Sequence, residues 1–345
     1  MDNLFNQITS LENLFASWEE FKKGKRKKLD VSEFEKNLED EIFRLHRDLK
    51  SKTYRHSNYT SFYITDPKLR HIHKAIVRDR IVHHAIYRVL YPIFDKGFIF
   101  DTYSCRNDKG SHKAIYRFEY FARKVSKNYS DTCFVLKCDV RRFFDSIDHG
   151  KLKELIQEKV KDVNTMWLLD DIIDSFGENR DYAMDGQISF DFLRPKGTPI
   201  GNLTSQLFAN VYLDELDQYI KHVLKVKYYI RYCDDFVILS RDQDYLERTK
   251  EQVRDFLAKN LKLALHKDKV EIRKLGQGVD FLGYITVPHF RVLRAKTKKR
   301  VLKRVTEKNL PSYLGVLKHC NGYELEQKVR KIVADQVLKK EGPKS

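Results

Sequence analysis

Two adjacent aspartates, Asp234 and Asp235, stand between two apolar runs in the stretch YYIRYCDDFVILS, residues 228–240. Runs this rich in Tyr, Ile, Phe, Val and Leu favour β-strands, so the pair is predicted at the turn of a partly buried hairpin. Adjacent carboxylates repel each other, and desolvating them costs several kcal/mol unless a cation compensates. Two interpretations are open from these residues alone: the turn is solvated, or the pair holds metal.

A third aspartate, Asp139, ends another apolar run about ninety-five residues earlier, in FVLKCDVRRFFDSID. If the two runs form neighbouring strands, the three carboxylates converge at one edge of a sheet. Hard oxygen donors of this kind suit Mg²⁺, which keeps some of its waters and accepts substrate phosphates. Two such ions about 4 Å apart would stabilise both the attacking and the leaving oxygens of a displacement at phosphorus.

Hydrophobic spacing predicts the helices and loops that precede the aspartate hairpin in the chain. Residues 1–50 are predicted to be helical, and the cluster KKGKRKK at residues 22–28 is either a solvated loop or a phosphate contact. Helices are also predicted over RDRIVHHAIYRVLYPIF and over residues 150–180. The Pro/Gly-rich loop RPKGTPIGN opens a helix, LTSQLFANVYLDELDQYI, that Thr204 or Ser205 would cap.

After the hairpin, the same hydrophobic spacing predicts that helices and strands alternate. A helix runs from Asp244 to about Asn260, and LKLALH forms a short strand. The apolar segment VDFLGYITV follows, and the tail from about Arg291 is predicted to be helical and very basic.

The composition indicates a polyanionic partner. The 345 residues carry a formal net charge of +17, with 12% aromatic residues and a pI near 9.4. A basic surface gains affinity by releasing counterions from phosphates, so nucleic acid is expected; an anionic membrane or a merely basic fold are the alternatives.

Features of targeting and redox chemistry favour a cytoplasmic protein. No apolar run approaches the ~20 residues of a membrane span, and the start MDNLFNQITS lacks the pattern of a secretory signal. The five cysteines are odd in number and show no paired spacing. Free thiols in a reducing compartment are therefore expected, and a zinc site is not.

Several of these stretches resemble one enzyme family. YCDD resembles the Tyr-x-Asp-Asp box of reverse transcriptases, and KCDVRRFFDSIDH resembles their first palm aspartate motif. GTPIGNLTSQLFANVYL resembles the palm loop and helix that contact template and nucleotide, and DFLGYITV resembles the primer grip. KLRHIHKAIVRDRIVHHAIYRVLYPIFDKGFIFDTYSCRNDKGSHKA resembles the fingers. These segments occur in the family's order over about residues 50–330. The chain is thus identified as a bacterial group II intron-like reverse transcriptase, most like those of diversity-generating retroelements.

The resemblance implies an α+β right-hand polymerase. An N-terminal helical extension would occupy residues 1–50, and the fingers residues 51–130. The palm would occupy residues 131–290, with insertions around 150–195 and an antiparallel sheet that carries the Tyr-x-Asp-Asp hairpin. A helical thumb would occupy residues 291–345.

The resemblance also implies the metal ligands. Asp139, Asp234 and Asp235, with the carbonyl of Val140, would hold two Mg²⁺ ions. Lys269 matches the palm lysine proposed to protonate the departing pyrophosphate. Lys262, Lys267 and Lys274 lie nearby in the sequence and are alternatives for that role.

Phe144, five positions after Asp139, matches the steric gate that collides with a ribose 2′-hydroxyl, so dNTPs would be preferred over NTPs. Its alternative role is a packed core aromatic, for which Phe143 is the better candidate. Arg70, supported by Lys68, matches the fingers contact to the incoming triphosphate, where a guanidinium binds phosphate oxygens bidentately. The alternative for either is a solvated surface charge.

Ile200 precedes Gly201 at a place where many relatives carry Gln. Gln can hydrogen-bond near the nucleotide or template, whereas Ile offers only shape. A site with fewer polar contacts near the nucleotide or template would discriminate less well between correct and incorrect nucleotides. An aliphatic residue here is also typical of the error-prone reverse transcriptases of diversity-generating retroelements.

The basic tail predicts backbone binding. Between Arg291 and Lys308 nine residues are Lys or Arg, interleaved with an apolar stripe of Val301, Leu302 and Val305. The stripe would pack on the body and the basic face would lie along a duplex; a solvated charged helix is the alternative. Expected nucleic-acid contacts are Arg80, Arg106, Gly283, Arg294, Lys298 and Arg300.

Together these inferences predict an RNA-directed DNA polymerase that copies RNA into cDNA with two Mg²⁺. Its expected partners are a template RNA, a primer or cDNA strand, dNTPs and an accessory basic oligomeric protein, without a membrane. A bacterial antiviral defence reverse transcriptase of related sequence is the alternative. A non-catalytic, maturase-like RNA-binding scaffold is a further one, against which the three aspartates and Phe144 count.

Overall fold

The computed structural model of the chain describes residues 3–65, 69–178 and 196–340. They fall into two compact units, each built from three separate chain segments. The first unit comprises Met1–Phe100, Val140–Val223 and Val253–Leu265. The second unit comprises Asp101–Asp139, Leu224–Gln252 and His266–Ser345.

Short helices cover most of residues 4–50, as the apolar spacing predicts. They are α1 (Leu4–Thr9), α2 (Leu11–Phe21), α3 (Leu29–Lys36) and α4 (Leu38–Lys50). Ser10 caps α2, because its side chain accepts a hydrogen bond from the Asn13 backbone at 3.2 Å. Trp18 is fully buried, and the basic cluster of residues 22–28 forms the turns between α2 and α3.

The first unit centres on two long helices, α5 (Val77–Asp95) and α10 (Leu203–Gln218), which pack against each other. A π-helical turn, Tyr219–Val223, continues α10. An antiparallel hairpin of β1 (Thr60–Ile64) and β2 (Arg70–Lys74) precedes α5. This unit also contains the helices α7 (Phe143–Ser146), α8 (His149–Lys159) and α9 (Val163–Glu178).

The second unit contains a four-stranded antiparallel sheet, in the order β4-β5-β3-β6. Its strands are β3 (Phe134–Asp139), β4 (Tyr229–Tyr232), β5 (Asp235–Ser240) and β6 (Glu271–Lys274). The helix α6 (Ser111–Val125) buries Phe118 and Phe121 in the same core as Val135 and Val237 of the sheet. The apolar runs on either side of the aspartates are therefore strands, as predicted.

A second core of this unit gathers the end of the described chain. A three-stranded sheet, β7 (Val279–Phe281), β8 (Tyr284–Val287) and β9 (Phe290–Leu293), leads into α12 (Ala295–Arg304), α13 (Leu310–Leu317) and α14 (Tyr323–Lys340). Val301 and Val305 are buried in this core and Leu302 packs against it, so the predicted apolar stripe is confirmed.

Two predicted secondary-structure elements differ from those in the structure. The helix α11 (Gln243–Leu261) is present, but LKLALH is not a strand, since only an isolated bridge joins Leu265 to Val140. The reason is local: Lys262 has a left-handed φ of 52°, and the Leu263 amide donates back to Leu257 of α11 at 2.9 Å. The tail is also not helical from Arg291, because that residue belongs to β9 and the first helix begins at Ala295.

The five cysteines, all within the described ranges, form no disulfide bond. Within the described ranges, no helix is both long enough and apolar enough to cross a bilayer.

Candidate active site

Asp139 and Asp235 lie directly opposite each other in the sheet of the second unit. Asp139 is the last residue of β3, Asp235 is the first residue of β5, and the two strands pair antiparallel in that register. Opposed residues in such a pair have Cβ atoms about 5 Å apart. The two strand-end carboxylates therefore meet at one edge of the sheet.

Asp234 occupies the tight turn that joins β4 to β5. Tyr232 pairs with Asp235, so only Cys233 and Asp234 lie in the connection. Cys233 has a φ of 56°, a left-handed conformation that is costly for a residue with a side chain. This short turn keeps Asp234 beside the opposed pair.

Two of the three carboxylates have raised pKa values. Burial raises the pKa of Asp235 to about 6; Lys137 opposes that shift, and the charges of Asp139 and Asp234 add to it. Burial also raises the pKa of Asp234, with a contribution from Asp139. The site thus concentrates negative charge that a nearby cation would relieve.

Lys269 supplies one such cation. Its Nζ lies 2.8 Å from Oδ1 of Asp139 in an ion pair whose lysine side chain is 44% exposed. The Asp139 carbonyl accepts a hydrogen bond from the His266 amide at 2.8 Å, which holds the segment leading to Lys269 near the end of β3. Of the alternatives, Lys262 pairs instead with Asp148 in the first unit.

The donor set fits a hard divalent cation, since it consists of carboxylates, which such ions prefer. Within residues 3–65, 69–178 and 196–340, no three His, Cys, Asp or Glu side chains form a group arranged to ligate one ion. The ammonium of Lys269 balances Asp139 in this arrangement. The assignment of Mg²⁺ to these aspartates stays a prediction.

Arg231 is a residue of the site that the sequence analysis missed. It lies in β4, is fully buried, and donates from Nη1 to the carbonyl of Cys233 at 3.1 Å. The backbone of Arg231 is held on its other side, because its amide donates to Asp101 and its carbonyl accepts from Tyr103, both at 3.0 Å. The available signal was an arginine inside an otherwise apolar strand, two residues before the turn.

In the first unit, Phe144 is tied to the loop of residues 196–202. The Thr198 amide donates to the Phe144 carbonyl at 2.8 Å, and the Gly197 amide donates to the Ile147 carbonyl at 2.7 Å. Phe143 is buried, whereas Phe144 is partly exposed. The role of Phe144 as a steric gate stays a prediction.

The same loop carries Ile200 and Gly201. Both lie in a turn, where Ile200 is partly exposed and Gly201 has a φ of 117° that side-chain-bearing residues rarely adopt. A Cβ on Gly201 would lie 3.5 Å from Cγ2 of Ile72 in β2, an ordinary contact. The backbone conformation, more than the space, therefore favours glycine here.

The predicted cap of α10 is wrong. Asn202 is the residue that precedes the helix, and it makes no side-chain capping bond. Thr204 and Ser205 lie inside the helix, which begins at Leu203, and the Thr204 hydroxyl is 2.7 Å from Nδ1 of His83 on α5. A partner far away in the sequence has taken the hydroxyl that a local pattern assigned to the helix end.

The fingers candidates have different surroundings. Arg70 is exposed on β2, opposite Ile64, while Lys68 lies outside the described residues. Arg80 is engaged within the first unit, since Nη2 forms an ion pair with Asp30 and its guanidinium stacks over Phe21. Contacts of these residues with nucleotide or nucleic acid stay predictions.

Several predicted nucleic-acid contacts lie in the second unit. Gly283 has a φ of 90° in the turn between β7 and β8, and Arg294 pairs with Asp280 at 2.8 Å just before α12. Lys298 is exposed on α12, Arg300 is partly exposed there, and Arg106 donates to the Thr102 carbonyl at 3.3 Å. Their roles also stay predictions.

Comparison with known families gives one broad match. Residues 65–286, more than half of the chain, match the family described as reverse transcriptase (RNA-dependent DNA polymerase). The matched range contains the three aspartates, Phe144 and the loop of residues 196–202.

Two curated relatives are similar over much of the chain. The chain is 27% identical to Protein YkfC of Escherichia coli K12 over 256 residues, which cover 63% of each protein. It is 24% identical to the group II intron-encoded protein LtrA of Lactococcus lactis subsp. cremoris over 366 residues, covering 87% of this chain and 57% of LtrA. The chain therefore spans about three fifths of the length of these relatives.

Among solved structures, a telomerase from Candida tropicalis, truncated from its C-terminal domain, is similar with a TM-score of 0.49. The match has 12% sequence identity and covers 72% of this chain and 58% of that one.

Proposed function

The chain belongs to the reverse transcriptase (RNA-dependent DNA polymerase) family, and on that basis we propose that it is an RNA-directed DNA polymerase. The observation that carries the proposal is the register of β3 and β5, in which Asp139 stands opposite Asp235 with Asp234 in the adjoining turn. A primer 3′-hydroxyl would attack an incoming dNTP at this edge and release pyrophosphate.

Asp139, Asp234, Asp235 and the Val140 carbonyl would hold two Mg²⁺ ions. When bound, the ions would stabilise the negative charge on the attacking and leaving oxygens. The raised pKa of Asp235 supports this assignment, because the carboxylate is buried and also faces the charges of Asp139 and Asp234, and both conditions favour a cation beside it.

Other residues would handle protons and substrate. Lys269, whose ammonium is within hydrogen-bond distance of Asp139, would give a proton to the departing pyrophosphate. Phe144 would exclude a ribose 2′-hydroxyl by its bulk. Arg70, exposed on β2, and Lys68 would bind the triphosphate oxygens.

The setting we propose is a diversity-generating retroelement. Ile200 supports this, since an aliphatic side chain before Gly201 offers no polar check on the nascent base pair. A structured template RNA and an accessory basic oligomeric protein would then be partners, and the net charge of +17 fits an enzyme that holds nucleic acid.

The test is primer extension by the purified chain on an RNA template with a DNA primer. We expect dNTP-dependent elongation that requires Mg²⁺ and stops with EDTA. Elongation that persists on RNA in excess EDTA, or none under any divalent cation, would contradict the proposal. Sequencing the product measures the error rate that the retroelement setting requires.

A further inference from the structure

A buried histidine links two helices of the first unit. His83 on α5 is 1% exposed, and its Nδ1 lies 2.7 Å from Oγ1 of Thr204, which is also 1% exposed, in the first turn of α10. The other ring nitrogen, Nε2, lies 3.2 Å from Nε2 of His56. A buried polar pair of this kind is costly unless each donor meets an acceptor, so the direction of the bonds matters.

The direction follows from a backbone carbonyl. His56 Nδ1 is 2.6 Å from the Ser57 carbonyl, which can only accept, so Nδ1 carries the hydrogen. Burial lowers the pKa of both imidazoles and keeps them neutral. The Nε2 of His56 is then an acceptor, so Nε2 of His83 must donate to it. That leaves Nδ1 of His83 to accept the hydrogen of the Thr204 hydroxyl.

Thr204 is the second residue of α10 and lies two positions after the loop of residues 196–202. From one side the loop is held by the backbone bonds of Gly197 to Ile147 and of Thr198 to Phe144. On its buried side, Thr198 Oγ1 and Asn202 Nδ2 have no hydrogen-bond partner among the described residues. Thr198 and Thr204 line one small cavity with His83 and Tyr59. Thr204 is thus a side chain through which the start of α10, next to this loop, is tied to α5.

We propose that His83 and Thr204 are positioning residues, whose hydrogen bond holds Ile200 and Gly201 where they meet the incoming nucleotide. The inference rests on the proposed polymerase function and extends it to two residues that do not themselves touch substrate. Loss of the bond would free the start of α10 and the loop before it. Because Phe144 is bonded to the same loop, the gate would loosen with it.

The kinetic test compares Thr204→Val with Thr204→Ser in single-nucleotide primer extension. Val keeps the shape and removes the hydroxyl, and it should raise KM for the correct dNTP about five- to tenfold while kcat changes less than about twofold. Ser keeps the hydroxyl and should stay within about twofold of the wild-type KM. An unchanged KM in Thr204→Val, or an equal rise in Thr204→Ser, overturns the proposal.

His83 offers a second pair of variants if Thr204→Val does not fold. His83→Asn keeps an acceptor where Nδ1 lies and should keep KM near wild type, whereas His83→Leu removes it and should raise KM. Equal KM values in these two variants would contradict the proposed bond.

A spectroscopic test detects the direction of the His83–Thr204 hydrogen bond and does not depend on polymerase activity. Imidazole ¹⁵N shifts of the wild-type chain should show His83 protonated at Nε2 and His56 protonated at Nδ1. A His83 ring protonated at Nδ1 would overturn the assignment. A wild-type chain that extends no primer contradicts the proposed function, whereas active wild type with an equally active Thr204→Val contradicts the positioning role alone.

Discussion

Asp139 and Asp235 face each other across the antiparallel β3–β5 pair, at the last position of one strand and the first of the other. Two like charges at such a place destabilise an ordinary sheet. Burial raises the pKa of Asp235 to about 6, and Asp139 adds to the shift. The repulsion between the two carboxylates therefore persists in the folded protein. A sheet edge that concentrates carboxylates in this way is suited to bind cations, and the proposed chemistry uses that property.

Replacing Phe144 by Ala should raise the use of rNTPs relative to dNTPs by about tenfold or more, since a pocket that loses a bulky ring no longer rejects the 2′-hydroxyl. The measurement is the ratio of kcat/KM for a matched rNTP and dNTP. Phe144→Tyr, which keeps the ring, is the control and should stay near the wild-type ratio. An unaltered ratio in Phe144→Ala would remove the gate assignment.

Replacing Ile200 by Gln should lower misincorporation about three- to tenfold, because one added hydrogen bond can distinguish a correct pair from a wrong one. The effect should be largest opposite one template base. Deep sequencing of cDNA from a defined RNA measures it, with Ile200→Val as the control of similar shape. Equal error rates in the Gln variant and the wild type would refute this role of Ile200.

Replacing Arg231 by Met should lower the free energy of unfolding by roughly 2–4 kcal/mol, because a buried charged donor to the Cys233 carbonyl is lost. Urea unfolding gives the value. The matched control is Arg273→Met in the same sheet, where the side chain is 51% exposed and should matter by less than about 0.5 kcal/mol. Similar losses for both arginines would show that Arg231 does not support the turn.

Stability should fall in acid because of histidines in the first unit. Burial, helped by the charge of Lys25, lowers the pKa of His84 from 6.5 to about 4. Between these values the unfolded chain binds more protons than the folded one, so the free energy of unfolding decreases as the pH falls from about 6.5 towards 4. His83 shifts in the same direction, also mainly by burial.

Urea titrations between pH 7.5 and 5 measure this dependence. His84→Gln should reduce the loss by at least about 1 kcal/mol, and the matched control is a histidine at an exposed position, His222→Gln. Comparing slopes with pH cancels any packing defect that the substitution itself introduces. A pH dependence that is identical in His84→Gln and wild type would contradict the assignment.

The hairpin and the strand that ends at Asp139 were predictable because their signals are local. Each strand is an apolar run, and each aspartate stands where a run begins or ends, so neighbouring strands bring the carboxylates together. The helices of residues 1–50 and of α5 were predictable for the same reason, since their apolar spacing is regular.

The features that the sequence did not reveal depend on distant partners. Thr204 is of a residue type that caps helices, yet it lies inside α10 and its hydroxyl bonds His83, which is 121 residues away in the chain. Arg231 is charged, and its burial depends on the segment around Thr102 that pairs beside it. LKLALH has an apolar pattern suited to a strand, but the end of α11 turns the backbone away at Lys262.

Single-nucleotide incorporation by Asp235→Asn on an RNA template tests the central claim most directly. Asn keeps the size of the side chain and removes the charge opposite Asp139. The control is Asp255→Asn, whose side chain is 66% exposed on the surface. We expect Asp235→Asn to lose about a thousandfold or more in rate, the factor for several kcal/mol of transition-state stabilisation, while its affinity for the RNA–primer duplex and the rate of Asp255→Asn stay near wild type. Incorporation by Asp235→Asn at the wild-type rate would contradict the assignment of these carboxylates to the reaction.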